Sequence, residues 1–308
     1  MHLVRRLAAL LALPLAACAA PQRPAPAPAA APLAALEAEL DSLIRARTAD
    51  TVEVAVALID LESGDSLLRE AHTVMHAAST MKVPVMLELF RAADAGRLRL
   101  DDSVVVRNEF RSIADGSRYS LSPDDDSDRA LYQRIGEGVA VRELIERMIT
   151  RSSNLATNLL IDAADPAQIA RTLDSFGASE VRVLRGVEDG PAYAAGMNNT
   201  TTAYGMMKVM EAIARGRAAS PAATAEMLAI LERQEFREMI PAGLPAGTRV
   251  ANKTGWITGI HHDAAIVLPE GRAPYVLVVL TRGFRDTGAA RATASEVSAR
   301  VYATIVGR

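Results

Sequence analysis

Three short polar motifs carry side chains that can attack a carbonyl carbon, relay protons or bind an anion. They are Ser79-Thr80-Met81-Lys82, Ser152-Ser153-Asn154 and Lys253-Thr254-Gly255. A serine hydroxyl is a weak nucleophile until a neighbouring base removes its proton. Because Ser79 and Lys82 are three residues apart, on a helix they share one face and lie within reach of each other. The first motif therefore indicates nucleophilic catalysis by Ser79, with Lys82 as its base or proton relay.

Lysine is scarce in this sequence, which makes the lysines of the motifs informative. Of the 34 basic residues only three are lysines, namely Lys82, Lys208 and Lys253, and the other 31 are arginines. Arginine stays charged in proteins, whereas lysine can lose its proton when its surroundings lower its pKa. A buried helix and a neighbouring Lys253 charge would lower the pKa of Lys82 and favour the neutral form that a base requires.

Taken together, the motifs resemble the S-x-x-K, S-D-N and K-T-G set of class A β-lactamases and penicillin-binding proteins. Each motif alone is weak, since the second also fits a helix N-cap and the third fits a strand end. Their order and separations fit the family, and the resemblance extends over most of residues 36–308. It implies a serine hydrolase that is acylated on Ser79 and needs neither a metal nor another cofactor.

The resemblance also implies roles for the other motif residues. Ser152 would pass a proton to the leaving nitrogen, and Asn154 would hold the side-chain amide of the substrate. Lys253 and Thr254 would bind the substrate carboxylate. Gly255 would let the substrate approach the strand on which these residues lie.

The resemblance also implies an oxyanion hole, and the chain departs from the family at the second motif and at the carboxylate-binding arginine. The N–H groups of Ser79 and Trp256 would form the oxyanion hole, whose stabilisation is usually the largest catalytic contribution. Ser153 stands where the family has an aspartate, a mainly structural position, so activity need not suffer. The arginine that usually helps to bind the carboxylate is not identifiable, and Arg237 and Arg282 are the candidates.

Hydrolysis of the acyl-enzyme requires a second base, and here the chain departs further from the family. Class A β-lactamases carry a Glu-x-x-Leu-Asn segment in a loop that an Arg–Asp pair closes. In the corresponding residues 185–202, Glu188 is the best candidate, although it stands one place late relative to Arg185 and no Leu-Asn follows it. Asn199 replaces the loop-closing aspartate. The alternative is that Glu188 is a solvated loop residue.

The hydrophobic pattern predicts the elements that position these motifs. From Ser79 to Phe90 the residues after Lys82 are nearly all apolar, which predicts a helix buried on all sides, and Pro84 predicts an irregularity near its first turn. Helical periodicity also covers both ends of the folded body and most of its middle. Short β-rich runs bounded by turn residues predict strands, at 52–61, 66–69, 249–253, 264–268 and 275–281.

These elements predict an α/β (α+β) fold in which one antiparallel sheet, flanked by helices, is built from both termini. An all-helical domain is inserted into it. We expect an α/β lobe of residues 33–90 and 243–308 and a helical lobe of residues 91–242.

The first 32 residues have the pattern of an export signal and a tether. Residues 1–17 combine Arg5 and Arg6 with an apolar run that is too short to span a bilayer. Residues 15–18, Leu-Ala-Ala-Cys, resemble the bacterial lipoprotein cleavage box, which implies lipidation of Cys18; an ordinary cleaved signal is the alternative. Residues 18–32 are a Pro/Ala-rich, semi-rigid tether. We expect a protein on the periplasmic side of the envelope, anchored in the outer membrane, or soluble in the periplasm under the alternative.

Other ligands are less favoured by the sequence. The formal charge is −3 and no basic block with interleaved aromatics occurs, which argues against nucleic acid. Residues 124–128 are acidic but lack the glycine and glutamate of a calcium loop, so we expect a solvated turn. The pair His261 and His262 does not predict a metal site, because adjacent strand residues point to opposite faces.

Three functions are consistent with these observations. The first is a serine β-lactamase. The second is a peptidoglycan D,D-peptidase or esterase of the same fold, and the third is a non-catalytic envelope lipoprotein that binds cell-wall peptides. For each we expect a monomer that takes a small-molecule substrate, either a β-lactam or a cell-wall peptide.

Overall fold

A computed structural model describes residues 31–48 and 51–307. The predicted signal, Cys18 and most of the tether lie outside the described residues. The helices within the described part are α1 Ala31–Arg47, α2 Lys82–Asp94, α3 Val141–Thr150, α4 Asn154–Ala164, α5 Pro166–Ser175, α6 Gly190–Ala194, α7 Ala203–Ala214, α8 Pro221–Glu232 and α9 Thr287–Val306. Of these helices, none combines the length and apolar character that a bilayer span requires.

The described strands range from two to nine residues in length. They are β1 Glu53–Asp60, β2 Ser66–Arg69, β3 Met75–His76, β4 Ser103–Val105, β5 Phe110–Arg111, β6 Arg118–Tyr119, β7 Gly138–Ala140, β8 Thr200–Thr201, β9 Arg249–Ile257, β10 Ile260–Leu268 and β11 Tyr275–Arg282.

Five antiparallel strands form the central sheet in the order β2-β1-β11-β10-β9. Strands β1 and β2 come from the N-terminal part of the described chain and β9 to β11 from its C-terminal part. This arrangement confirms the predicted antiparallel sheet built from both termini. At one end of the strand order, β9 pairs with β10 so that Lys253 lies opposite Ala264.

The central strands β1 and β11 are buried on both faces, which explains why they are nearly continuous apolar runs. Along β11 successive side chains point to opposite faces. Leu277 packs in the cluster formed with α1 and α9, whereas Val278 packs in the cluster formed with α2 and α7. A strand covered on both sides gains from apolar residues at every position rather than at alternate ones.

The segment that carries the predicted nucleophile changes helix type where the sequence predicts an irregularity. Residues Ala78–Met81 form a 3₁₀ turn, and the α-helix α2 begins only at Lys82. Pro84 has no N–H, so it cannot donate an α-helical bond to the carbonyl of Thr80. All nine residues from Lys82 to Phe90 are buried, which confirms the expected burial on all sides.

The residues inserted between α2 and β9 are dominated by helices α3 to α8, but they are not all-helical as predicted. Strand β4 pairs with β7, β5 pairs with β6, and β8 pairs with β3. These strands have only two or three residues each. Such short strands leave no alternating pattern in the sequence, which is why the prediction missed them.

Candidate active site

The three motifs converge on one cleft between the β9 end of the sheet and the inserted helices. The cleft has a volume of about 710 Å³ and is lined by Ser79, Ser152, Asn154, Glu188 and Trp256, among others. The buried Lys253 of the third motif reaches it through Ser152. Ser79 lies in the 3₁₀ turn before α2, and Ser152 lies just before α4. The third motif lies inside β9 rather than at its end.

Two fully buried lysines meet at the hydroxyl of Ser152. Lys82 Nζ lies 3.3 Å from Ser152 Oγ and donates to Asn154 Oδ1 at 2.8 Å. Lys253 Nζ donates to the same Ser152 Oγ at 3.0 Å. In contrast, Lys208 pairs with Glu211 away from the cleft. Lys82 and Lys253 can therefore both exchange a proton with the hydroxyl of Ser152.

Burial makes both ammonium groups of the cleft easy to deprotonate. It lowers the pKa of Lys82 to about 7, while the charges of Asp126 and Glu188 act in the opposite direction. Burial and the charge of Lys82 hold the pKa of Lys253 well below its usual range, and Asp263 opposes them. Because two desolvated neighbouring cations repel each other, one of the two lysines readily serves as a base at neutral pH.

A carboxylate outside the three motifs holds the second motif in place. Asp126 Oδ2 accepts hydrogen bonds from the backbone N–H groups of Asn154 at 2.9 Å and Leu155 at 2.8 Å. It thereby satisfies and neutralises the N-terminus of α4. Ser153 caps the same helix, with Oγ accepting from the N–H of Ala156 at 3.2 Å. The position without the family aspartate is thus supported by an aspartate from another part of the chain.

The expectation of a solvated acidic turn at residues 124–128 is wrong for two of its four acids. Asp126 and Asp128 are buried, and Asp128 accepts from Arg147 at 2.9 Å. Buried carboxylates are tolerated when hydrogen bonds and ion pairs compensate their desolvation. The sequence could not show this, because Asp126 meets Asn154 across 28 positions.

Glu188 faces the cleft and is connected to the lysines through one amide side chain. Its Oε1 accepts from Asn154 Nδ2 at 2.9 Å, and Asn154 Oδ1 accepts from Lys82. Glu188 is exposed, yet partial desolvation in the cleft raises the pKa of its carboxyl group. Glu188 is thus solvent-exposed, as the alternative expects, but its carboxylate also belongs to the same hydrogen-bonded group as Lys82.

The backbone explains how a glutamate one place late reaches the cleft. Val187 is clamped by Asn158, whose Oδ1 accepts from Val187 N at 2.7 Å and whose Nδ2 donates to Val187 O at 3.0 Å. The next residue, Glu188, has a left-handed φ of 62°. Asn158 is a positioning residue that the sequence analysis missed, although it lies one helical turn after Asn154 on α4.

The loop around Glu188 is closed by hydrogen bonds of Asn199 and Arg185 instead of an Arg–Asp ion pair. Asn199 Nδ2 donates to Arg185 O at 2.9 Å, and its Oδ1 accepts from Leu184 N at 2.8 Å. The Arg185 guanidinium donates to Met197 O at 2.9 Å and to Asn198 Oδ1 at 3.1 Å. The Asn199 side chain thus closes the loop by bonding to the backbone groups of Leu184 and Arg185.

Gly255 is required by the protein's own backbone. An added Cβ would lie 2.9 Å from the backbone nitrogens of both Ser79 and Thr80. Its nearest neighbours belong to the nucleophile's turn, a role in addition to the predicted approach of the substrate. Trp256 follows at the rim with 68% of its surface exposed. The contact holds β9 against Ser79, as the predicted oxyanion hole from Ser79 and Trp256 requires.

Neither arginine proposed for carboxylate binding lies in the cleft. Arg237 is exposed, and Arg282 pairs with Glu53. Among the described residues that line the cleft the one arginine is Arg185, which bonds its own loop. Sequence position alone does not identify an arginine that binds the carboxylate, because tertiary packing decides which side chains face the substrate.

The histidines of β10 have structural partners. His262 Nε2 lies 3.0 Å from His76 O, and His261 Nε2 lies 3.1 Å from Thr287 Oγ1. Within residues 31–48 and 51–307 no group of three or more His, Cys, Asp or Glu side chains is arranged to hold a metal ion.

Comparisons with known proteins agree with this geometry. The β-lactamase enzyme family matches residues 35–305. A β-lactamase from Streptomyces fradiae is 28% identical over 280 residues, which cover 87% of this chain and 84% of that protein.

Two solved structures share the fold over most of their length. One is a mutant of PBP-A in an acyl-enzyme complex with penicillin G, with a TM-score of 0.75, 25% identity, and coverage of 90% of this chain and 98% of that one. The other is the class A β-lactamase of the last common ancestor of Gram-negative bacteria, with a TM-score of 0.74, 26% identity, and coverage of 87% and 98%. With the family match spanning nearly all the described residues, the chain belongs to the β-lactamase enzyme family and is a serine hydrolase.

Proposed function

We propose that this protein is a β-lactamase that hydrolyses the β-lactam amide through an acyl-enzyme on Ser79. The observation that carries the proposal is the link from Lys82 through Asn154 to Glu188, with distances of 2.8 and 2.9 Å. A base for acylation and a base for deacylation thereby share one cleft with the nucleophile. An enzyme that only acylates has no need of the second.

In the acylation step, neutral Lys82 takes the proton of Ser79 Oγ while this oxygen attacks the lactam carbonyl carbon. The N–H groups of Ser79 and Trp256 receive the developing oxyanion. The C–N bond then breaks, and the nitrogen receives a proton from Ser152 Oγ. Lys253, which donates to that hydroxyl at 3.0 Å, returns a proton to Ser152.

In the deacylation step, Glu188 takes a proton from a water molecule as the water oxygen attacks the ester carbon. The bond to Ser79 Oγ breaks, and the serine oxygen regains a proton from Lys82. Glu188 then releases its proton to solvent and Lys253 takes one up, which returns the enzyme to its starting state. The product leaves as a ring-opened acid. Partial desolvation raises the pKa of Glu188, which suits a general base.

Turnover of a chromogenic cephalosporin by the processed protein tests the proposal. We expect steady hydrolysis by the wild type and none by a folded Ser79→Ala variant. Folded wild-type protein that binds but never turns over the cephalosporin would refute β-lactamase activity. Labelling of Ser79 by a fluorescent penicillin would also exclude the non-catalytic binding protein.

A D,D-peptidase of the same fold is the second candidate, favoured by the likeness to PBP-A and by the displaced position of Glu188. Such an enzyme would release the terminal D-alanine from a peptide ending in D-Ala-D-Ala. Its penicillin adduct would be long-lived. Intact mass spectrometry after a brief penicillin pulse separates the candidates, because a β-lactamase returns rapidly to the mass of the free enzyme.

We also propose that the protein acts as a monomer anchored through lipidated Cys18. The motif residues and Glu188 all come from one chain and form a complete cleft, which supports a monomer. Cys18→Ala should release the protein from the membrane fraction and leave the cephalosporin turnover unchanged. Wild-type protein found only in the soluble periplasmic fraction would contradict the anchor, and a dimer in light scattering would contradict the monomer.

A further inference from the structure

The turn that presents the nucleophile has a costly backbone conformation. Ala78, directly before Ser79, has a φ of 46°, in the left-handed region that a residue with a Cβ rarely adopts. Ala78 is buried and lines the cleft beside Ser79. Such a conformation persists only where the surroundings impose it.

One imidazole hydrogen-bonds directly to this residue. His76 Nδ1 accepts from the backbone N–H of Ala78 at 3.0 Å. The backbone around His76 is fixed independently, because His76 O lies 3.0 Å from His262 Nε2 and Ala77 N donates to Asn199 O at 2.9 Å. With its own backbone fixed on both sides, the His76 ring acts as a rigid acceptor for the Ala78 N–H.

The position of this turn decides whether the oxyanion hole can form. A Cβ on Gly255 would lie 3.2 Å from Ala78 Cβ and 2.9 Å from Ser79 N, so the turn and β9 are already in close contact. If Ala78 relaxed to a right-handed φ, the N–H of Ser79 would rotate relative to β9. Its alignment with the N–H of Trp256 would then be lost.

We propose that His76 is a positioning residue whose neutral imidazole holds Ala78 in its left-handed conformation and thereby sets the Ser79 N–H and Oγ for acylation. The inference rests on the proposed function of Ser79 as the acylated nucleophile. It adds to that function a residue outside the three motifs, which acts through the backbone of its neighbour.

The role requires the unprotonated Nδ1. The titratable and charged groups that face the ring are Arg185 on the loop, Tyr193 on α6 and His262 on β10. Burial and the charge of Arg185 lower the pKa of His76, so the ring is neutral at pH 7. At lower pH, protonation would turn Nδ1 into a donor facing the N–H of Ala78, and the hydrogen bond would be lost.

Two substitutions in the full processed chain test the hydrogen bond. Asparagine can place its Oδ1 where Nδ1 lies and accept the same bond, whereas leucine has no acceptor. We expect His76→Leu to slow acylation by a fluorescent penicillin by up to about 100-fold, the effect of a misplaced catalytic group. We expect His76→Asn to acylate at close to the wild-type rate.

The pH profile provides a readout that a merely structural role would not change. At acidic pH, where His76 becomes protonated, the wild-type acylation rate should depend on pH more steeply than that of His76→Asn, because the asparagine acceptor does not titrate. Should His76→Leu fail to fold, this comparison still decides.

The inference would be overturned if folded His76→Leu were acylated at the wild-type rate. It would also be overturned if His76→Asn were acylated no faster than His76→Leu, or if its acylation rate depended on pH as steeply as that of the wild type. A wild type that penicillin does not label would refute the proposed function and this inference together. A labelled wild type with an unaffected leucine variant would refute the inference alone.

Discussion

Replacing Glu188 by glutamine separates the two halves of the proposed reaction. Glu188 Oε1 accepts from Asn154 Nδ2 at 2.9 Å, and a glutamine carbonyl oxygen can accept the same bond, so the loop should keep its position. What is lost is the ability to take a proton from water. General-base catalysis contributes about 10²–10⁴-fold, which is about 3–5 kcal/mol of barrier at 1.36 kcal/mol per tenfold. Deacylation should slow by that factor.

Acylation should change far less in the same variant, because Lys82 takes the first proton. Removing the Glu188 charge also removes one of the influences that raise the pKa of Lys82, so more of the lysine should be neutral at pH 7. Stopped-flow kinetics and intact mass spectrometry should therefore show rapid formation of a penicillin adduct followed by slow release.

Asp189→Asn is the matched control for Glu188→Gln. The neighbouring Asp189 accepts from Ala192 N at 3.1 Å and from Ile113 N at 3.0 Å, so its two oxygens are held by backbone groups. The control should lower the melting temperature without trapping an adduct. Wild-type release by Glu188→Gln would refute the assignment of the deacylation base, and equal slowing of both steps would place Glu188 in acylation instead.

Three further predictions test other parts of the site. The acylation rate should rise with pH through about 7 as Lys82 loses its proton. In rate–pH profiles, Asp126→Asn should move this rise to lower pH, because it removes a charge that raises the pKa of Lys82. The control Asp124→Asn, at an exposed position, should leave the profile unchanged. Gly255→Ala should slow acylation by about 100-fold or more and lower the melting temperature, since the new Cβ would lie 2.9 Å from Ser79 N. Asn199→Asp restores the family residue but should lower the free energy of unfolding, measured in urea titrations, by about 1–3 kcal/mol. The reason is that a carboxylate oxygen would face Arg185 O, to which Asn199 Nδ2 now donates at 2.9 Å.

The sheet, the terminal helices and the buried helix α2 could be predicted because their signals are local. Closing helix α9 spans Thr287–Val306, as the periodicity predicts. The three motifs could be assigned to one cleft only through their resemblance to a family, since spacing alone does not bring residues 79, 152 and 253 together. The fold of the family brings these distant residues together, which the sequence pattern alone does not show.

The remaining parts of the site depend on partners far away in sequence. Asp126 supports α4 from 28 positions upstream, and Asn158 clamps Val187 across 29 positions. The closure of the loop by Asn199 depends on which way an amide points, which no sequence pattern records. The left-handed φ of Glu188 is also invisible in the sequence, because glutamate gives no sign of adopting it.

The left-handed residues show how the cleft is held ready for reaction. Ala78, Ser152 and Glu188 all have positive φ values without being glycine, and all three line the cleft. A side-chain hydrogen bond lies near each of them: the imidazole of His76 accepts from the N–H of Ala78, the Asp126 carboxylate accepts from the N–H of Asn154 two residues after Ser152, and Glu188 Oε1 accepts from the amide of Asn154. Because strained conformations persist only where surrounding structure imposes them, these side chains are part of the catalytic design as much as the groups that touch the substrate. A substitution of His76 or Asp126, which leaves every motif intact, should therefore impair the chemistry before it unfolds the protein.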